Sequence, residues 1–163
     1  MIATRPPTRS TAMHEAHHSA ALLLLGLPPK QARCDWPGEH TLGEVELDWG
    51  DGVDHHKARK VLQAVLAGGL CNGCEGWDEF PLDPDGVPAG SRHDAVQARR
   101  LGDFLQLDHV GWAHALWQAN RLCRRPEFRR LAVAIARELE DRELLDQHDL
   151  ITIHKEAACG TSL

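Results

Sequence analysis

The sequence predicts a mainly α domain with a small β-hairpin or ribbon after its first helix, and three observations point there. Apolar residues recur at helical spacing in five separate stretches; one short stretch alternates strictly; and clusters of Gly, Pro and Asp punctuate the intervals between them. At 163 residues the chain suits one domain with a real core, because a chain of ~150 residues buries close to 70% of its unfolded surface. Residues 1–9 read as a flexible N-terminal segment, 10–150 as that single domain and 151–163 as a tail.

The first helix is expected from a cap at Ser10 or Thr11 to Leu25, with Gly26 as its stop signal and Pro28-Pro29 barring continuation. Its second half is apolar all round, the mark of a helix buried in the middle of a domain. Two strand candidates follow, Gln31–Trp36 and Gly43–Trp49; in the second, Val45, Leu47 and Trp49 alternate with Glu44, Glu46 and Asp48. A helix over 55–67 carries Ala58, Val61, Leu62, Val65 and Leu66 on one face and is expected to end at Gly68-Gly69. Residues 70–90 form the longest loop. A third helix starts near Ser91, and Asp94, Ala98, Leu101 and Leu105 fall on one stripe, so Asp94 heads an inward-facing row. Two amphipathic helices over about 110–124 and 127–146 complete the domain, and Leu150–Ile153 is compatible with a short strand.

Composition excludes several functions. A net charge of −6 and a pI near 6.0 argue against a nucleic-acid module, and the arginine pairs at 99–100, 124–125 and 129–130 read as solvated helix faces. Five scattered cysteines make no disulfide framework and fit a reducing cytosol. The longest apolar run, Ala20–Leu25, is far short of the ~20 residues a membrane helix needs, so no membrane insertion is expected and the chain reads as cytoplasmic.

The chemistry-bearing motif is His14-Glu15-Ala16-His17-His18, a His-Glu-x-x-His pattern within the first helix. Residues four apart share a helix face, so His14 and His18 can offer imidazole nitrogens to one Zn²⁺ while Glu15 lies beside the open coordination position as general base. With 11 histidines in the chain, roughly 0.05 such patterns arise by chance, and the context of the motif carries the rest. His17 points away from the two ligands, about 100° round the helix from His18, towards the surface or a supporting position.

That context resembles the peptidase domain of FtsH-type ATP-dependent zinc metalloproteases, over about residues 10–150. The matching pieces are Thr11–His18, Leu66-Ala67-Gly68-Gly69, His93–Ala98 and the closing helical pair with its acidic Glu138-Leu139-Glu140. The resemblance implies a helical metalloprotease domain in which Asp94 completes a zinc site with His14 and His18. It implies a soluble, ATP-independent metallopeptidase acting on peptides or unfolded protein segments, since no ATPase module or membrane anchor is in view, and it implies homo-oligomers. His17 stands where the family has Gly, and Leu70, Cys71, Asn72 and Gly73 stand where its Arg and Glu usually follow.

Alternatives remain at several positions. Asp94 also fits a capping box with Ser91, and His93 replaces it as third ligand if the helix starts one residue differently. Cys71 and Cys74 form a CxxC pair open to redox or metal binding, against two small residues in a loop. The five tryptophans suit core and cleft-wall packing. The strand at Gly43–Trp49 is a candidate edge for an extended substrate. The alternative function is an inactive peptidase-fold scaffold or metal-binding protein that binds partner proteins.

Overall fold

The computed structural model describes residues 9–35, 42–47, 52–71 and 92–160. They form α1 (Arg9–Leu24), β1 (Gln31–Asp35), β2 (Leu42–Glu46), α2 (His55–Cys71), α3 (Arg92–Phe104), α4 (His109–Cys123), α5 (Pro126–Arg142), β3 (Leu144–Asp146) and α6 (Gln147–Ala158). The architecture is mainly helical with a three-stranded antiparallel sheet in the order β2-β1-β3. No helix among the described residues is long and apolar enough to cross a membrane.

α1 is the central helix, as its all-round apolar second half implies: Ala12, Ala16, Ala20 and Ala21 are fully buried, and α2, α5, β1 and β2 pack on it. It starts at Arg9, so Ser10 and Thr11 fall in its first turn and not ahead of it. Gly26 ends it at φ +74°, with Leu27 N–H donating to the Leu22 carbonyl and Gly26 N–H to Leu23, the paired bonds of a Schellman stop.

α2 differs from its expected end. It runs through Gly68 and Gly69 to Cys71, because Ala64, Val65, Leu66 and Ala67 are buried against neighbouring helices and that burial offsets the ~1 kcal/mol that glycine costs a helix interior relative to alanine. Asp54 caps its start, accepting from the Lys57 N–H. Its two sides serve two cores: Ala64 and Ala67 join the core of α1, α5, α6, β1 and β3, while Val61, Leu62, Val65 and Leu66 join Ala98 of α3, Leu105 just beyond its end, and Trp112 and Ala119 of α4.

The hairpin forms β1 and β2, with Ala32 opposite Val45 and Arg33 opposite Glu44. The expected helix over 127–146 stops earlier. Glu143 adopts φ +62° and caps α5, and the next three residues pair with β1, placing Ala32 opposite Leu145. Three residues are too few to display a period of two, which is why β3 escapes the sequence pattern. Leu150–Ile153 is helical, not a strand: Asp146 and Asp149 build a reciprocal capping box that starts α6, and Leu150 and Ile153 enter the core.

Candidate metal centre

α1 and α3 bring three donors to one point beside α2. His14 Nε2 lies 2.8 Å from Asp94 Oδ2 and 3.1 Å from His18 Nε2, and His18 Nε2 lies 3.3 Å from the same carboxylate oxygen. The i, i+4 spacing stacks the two imidazoles on one face of α1, their rings edge-to-face at 4.6 Å between centroids. The inward stripe of α3 delivers Asp94, with Ala95 and Ala98 buried beside it. Among the described residues the buried polar side chains are His14, Glu15, His18, Ser19 and Asp94. Four of these five belong to the motif or complete it. Polar groups are rarely gathered in a core without a task.

His14, His18 and Asp94 are the group among the described residues that could hold a metal ion. Two imidazoles and a carboxylate are the donor set of catalytic zinc sites, in which ligand atoms 2.0–2.1 Å from a tetrahedral ion stand roughly 3.3–3.4 Å apart. The observed separations of 2.8–3.3 Å ask for an expansion of a few tenths of an ångström. Three donors occupy one side of such an ion and leave a further position open.

Electrostatics bind the cluster together. Burial alone would raise the Asp94 carboxyl, but the His18 charge and hydrogen bonds from both imidazoles outweigh it and hold Asp94 well below the usual carboxylate range. Burial would likewise lower His18; Asp94, Glu15 and the Ala64 carbonyl prevail and push it up to about 9. Its Nδ1 lies 2.9 Å from the Ala64 carbonyl oxygen. A carbonyl only accepts, so Nδ1 donates, and in the neutral ring Nε2 then offers its lone pair to the cluster. Glu15 is raised by burial, against the opposing pull of His18 and His14. Glu44 of β2 adds to this rise, placing the hairpin within electrostatic reach of the site.

The structure resolves the alternatives unevenly. His93 is exposed and pairs with Gln97, apart from the cluster. Ser91, the capping partner considered for Asp94, and Cys74 of the CxxC pair lie outside the described residues, as do Trp36, Trp49 and Trp77. Trp112 is core; Trp117 is 54% exposed and walls a cleft of about 150 Å³ with Gln63, Gln118, Arg121 and Arg125, away from the cluster. His17 is half-buried. It packs edge-to-face on Phe128 at 5.0 Å, burial lowers it to about 4 against a hydrogen bond with the Ala67 backbone, and its Nδ1 has no hydrogen-bond partner among the described residues. The contribution of α2 to the site, through Ala64, has no sequence signal of its own because a backbone carbonyl is common to every residue.

Compared with protein-family models and with curated proteins, the chain matches none. The fold and the cluster therefore define its class on physical grounds: a mainly helical protein with a buried His-His-Asp group suited to a metal ion.

Proposed function

We propose that the protein is a zinc-dependent metallopeptidase that hydrolyses peptide bonds in peptides or unfolded segments without ATP. The observation that carries this reading is the convergence of His14, His18 and Asp94 within 2.8–3.3 Å beside the buried carboxyl of Glu15. Zinc held by these donors supplies Lewis acidity, polarising a substrate carbonyl and making water a better nucleophile at neutral pH.

The chain's own residues do the rest. His14, His18 and Asp94 hold the ion. Glu15, whose carboxyl burial raises above its ordinary value, takes a proton from the attacking water and passes it to the departing amine. β2 has one neighbour, β1, among the described residues and packs beside α1, which supports an extended substrate adding to its free edge. Such an edge admits locally unfolded chain and excludes stable folds.

The test has two parts. Elemental analysis of purified protein should find about one zinc per chain, sharply reduced in Asp94→Ala. With zinc bound, Glu15→Gln should cut hydrolysis of an unstructured peptide library by roughly 10²–10⁴-fold, the usual worth of a general base, with metal content unchanged. Zinc without any cleavage would leave a metal-binding scaffold; absence of zinc after dialysis against added metal would end the catalytic reading.

A further inference from the structure

Gly68 of α2 lies directly against the His18 imidazole. A Cβ added there would stand 2.6 Å from His18 Nδ1 and closer still to Cε1 and Nε2, far inside the 3.5–4.0 Å at which carbon atoms make favourable contact. No small adjustment relieves this, since the ring is also tied at both ends. Nδ1 is bonded to the Ala64 carbonyl at 2.9 Å and Nε2 sits among the His14 and Asp94 donors.

Ala64 and Gly68 are one helical turn apart on the same face of α2. A helical carbonyl has a second lone pair beyond the one used within the helix, and the His18 ring reaches that of Ala64 by lying over position 68, in the space a Cβ would fill. We propose that Gly68 is a positioning residue for His18: the missing side chain opens a notch on α2, and through it the imidazole reaches the Ala64 carbonyl that selects its Nδ1–H tautomer. α2 thus orients a donor of a site whose described donors, His14, His18 and Asp94, stand on α1 and α3. The value of this to the protein rests on the metal reading above, but the coupling between Gly68 and His18 does not.

The experiment is a double-mutant cycle on the chelator-treated protein, joined to zinc titration. Gly68→Ala should lower the melting temperature when His18 is present. In the His18→Ala background the same change should raise it, because alanine is the better helix former once the ring is gone. ¹⁵N NMR should show His18 as the Nδ1–H tautomer when neutral in the parent protein and not in Gly68→Ala, and zinc affinity should fall 10–100-fold, as for loss of other groups that orient a ligand. If Gly68→Ala fails to fold alone but folds together with His18→Ala, the coupling is supported. Equal shifts in both backgrounds, an unchanged tautomer, or a double variant that also fails to fold would overturn the proposal. A parent protein that binds no zinc yet shows the coupling would sink the metal reading alone.

Discussion

His14 Nε2 and Asp94 Oδ2 stand 2.8 Å apart across two helices that belong to different cores. A cation bound between them therefore ties α1 to α3 and is linked to the stability of the whole domain. Zinc at 100 times its dissociation constant should stabilise the protein by about 2.7 kcal/mol, a rise of roughly 5–10 °C in melting temperature for a chain of this size. Chelator should reverse the shift, and Asp94→Ala should abolish it. Thermal unfolding with and without zinc reads this directly.

Stability of the chelated protein should depend on pH with a definite sign. His18 is raised to about 9, so its contribution is whole below its ordinary value of ~6.5 and is lost as pH rises through about 9. Raised Glu15 works in the same direction. Asp94 is depressed, so its contribution is present above ~3.9 and drains away as pH falls below that. His17, lowered to about 4, favours the fold above ~6.5 and adds to the acid loss. Urea midpoints measured in chelator should fall at both extremes. Zinc must displace the His18 proton, so calorimetry in two buffers at pH 7 should find about one proton released on binding.

Leu144 and Leu145 are adjacent and chemically identical, yet Leu145 is fully buried in β3 and Leu144 is 48% exposed. Leu145→Ala should cost about 2–5 kcal/mol and Leu144→Ala no more than ~0.5 kcal/mol in chemical denaturation. Comparable losses at both positions would contradict the strand.

Gly26 sits at φ +74°, where a side chain is strained. Gly26→Ala should destabilise the fold by about 1–2 kcal/mol, with metal content unchanged, because the stop lies at the opposite end of α1 from His14.

Much of this was legible in the chain itself. The buried half of α1, the hairpin and the stripe on α3 have period signals, and the His-Glu-x-x-His spacing puts His14 and His18 on one face. Spacing places Asp94 only on the inward stripe of α3, and its pairing with the two histidines is an implication of the family resemblance. What escaped depends on contacts between distant elements. Gly68-Gly69 has the composition of a helix end; the turn before it is buried between helices, which carries α2 onward, and only His18 shows why position 68 has no side chain. β3 is defined by pairing with β1 more than by its own three residues. His17 reads on a helical wheel as pointing to the surface or to a supporting position; α1 is surrounded, so the direction away from the cluster leads to Phe128 and leaves the ring only partly exposed.

The sheet order bears on how the molecule assembles. Ala32 of the central strand meets Val45 soon after it in the chain but must wait for Leu145 to complete its other side. In vectorial synthesis, α1 and the hairpin precede Asp94 of α3, and β3 arrives only after α5. Closing so long a loop costs entropy before the pairing repays it. The imidazoles of α1 are thus made before the carboxylate that joins them and before the strand that closes the neighbouring sheet. A site that needs all three donors is accordingly complete only once α3 has been made and packed on α1, and is not offered by α1 alone.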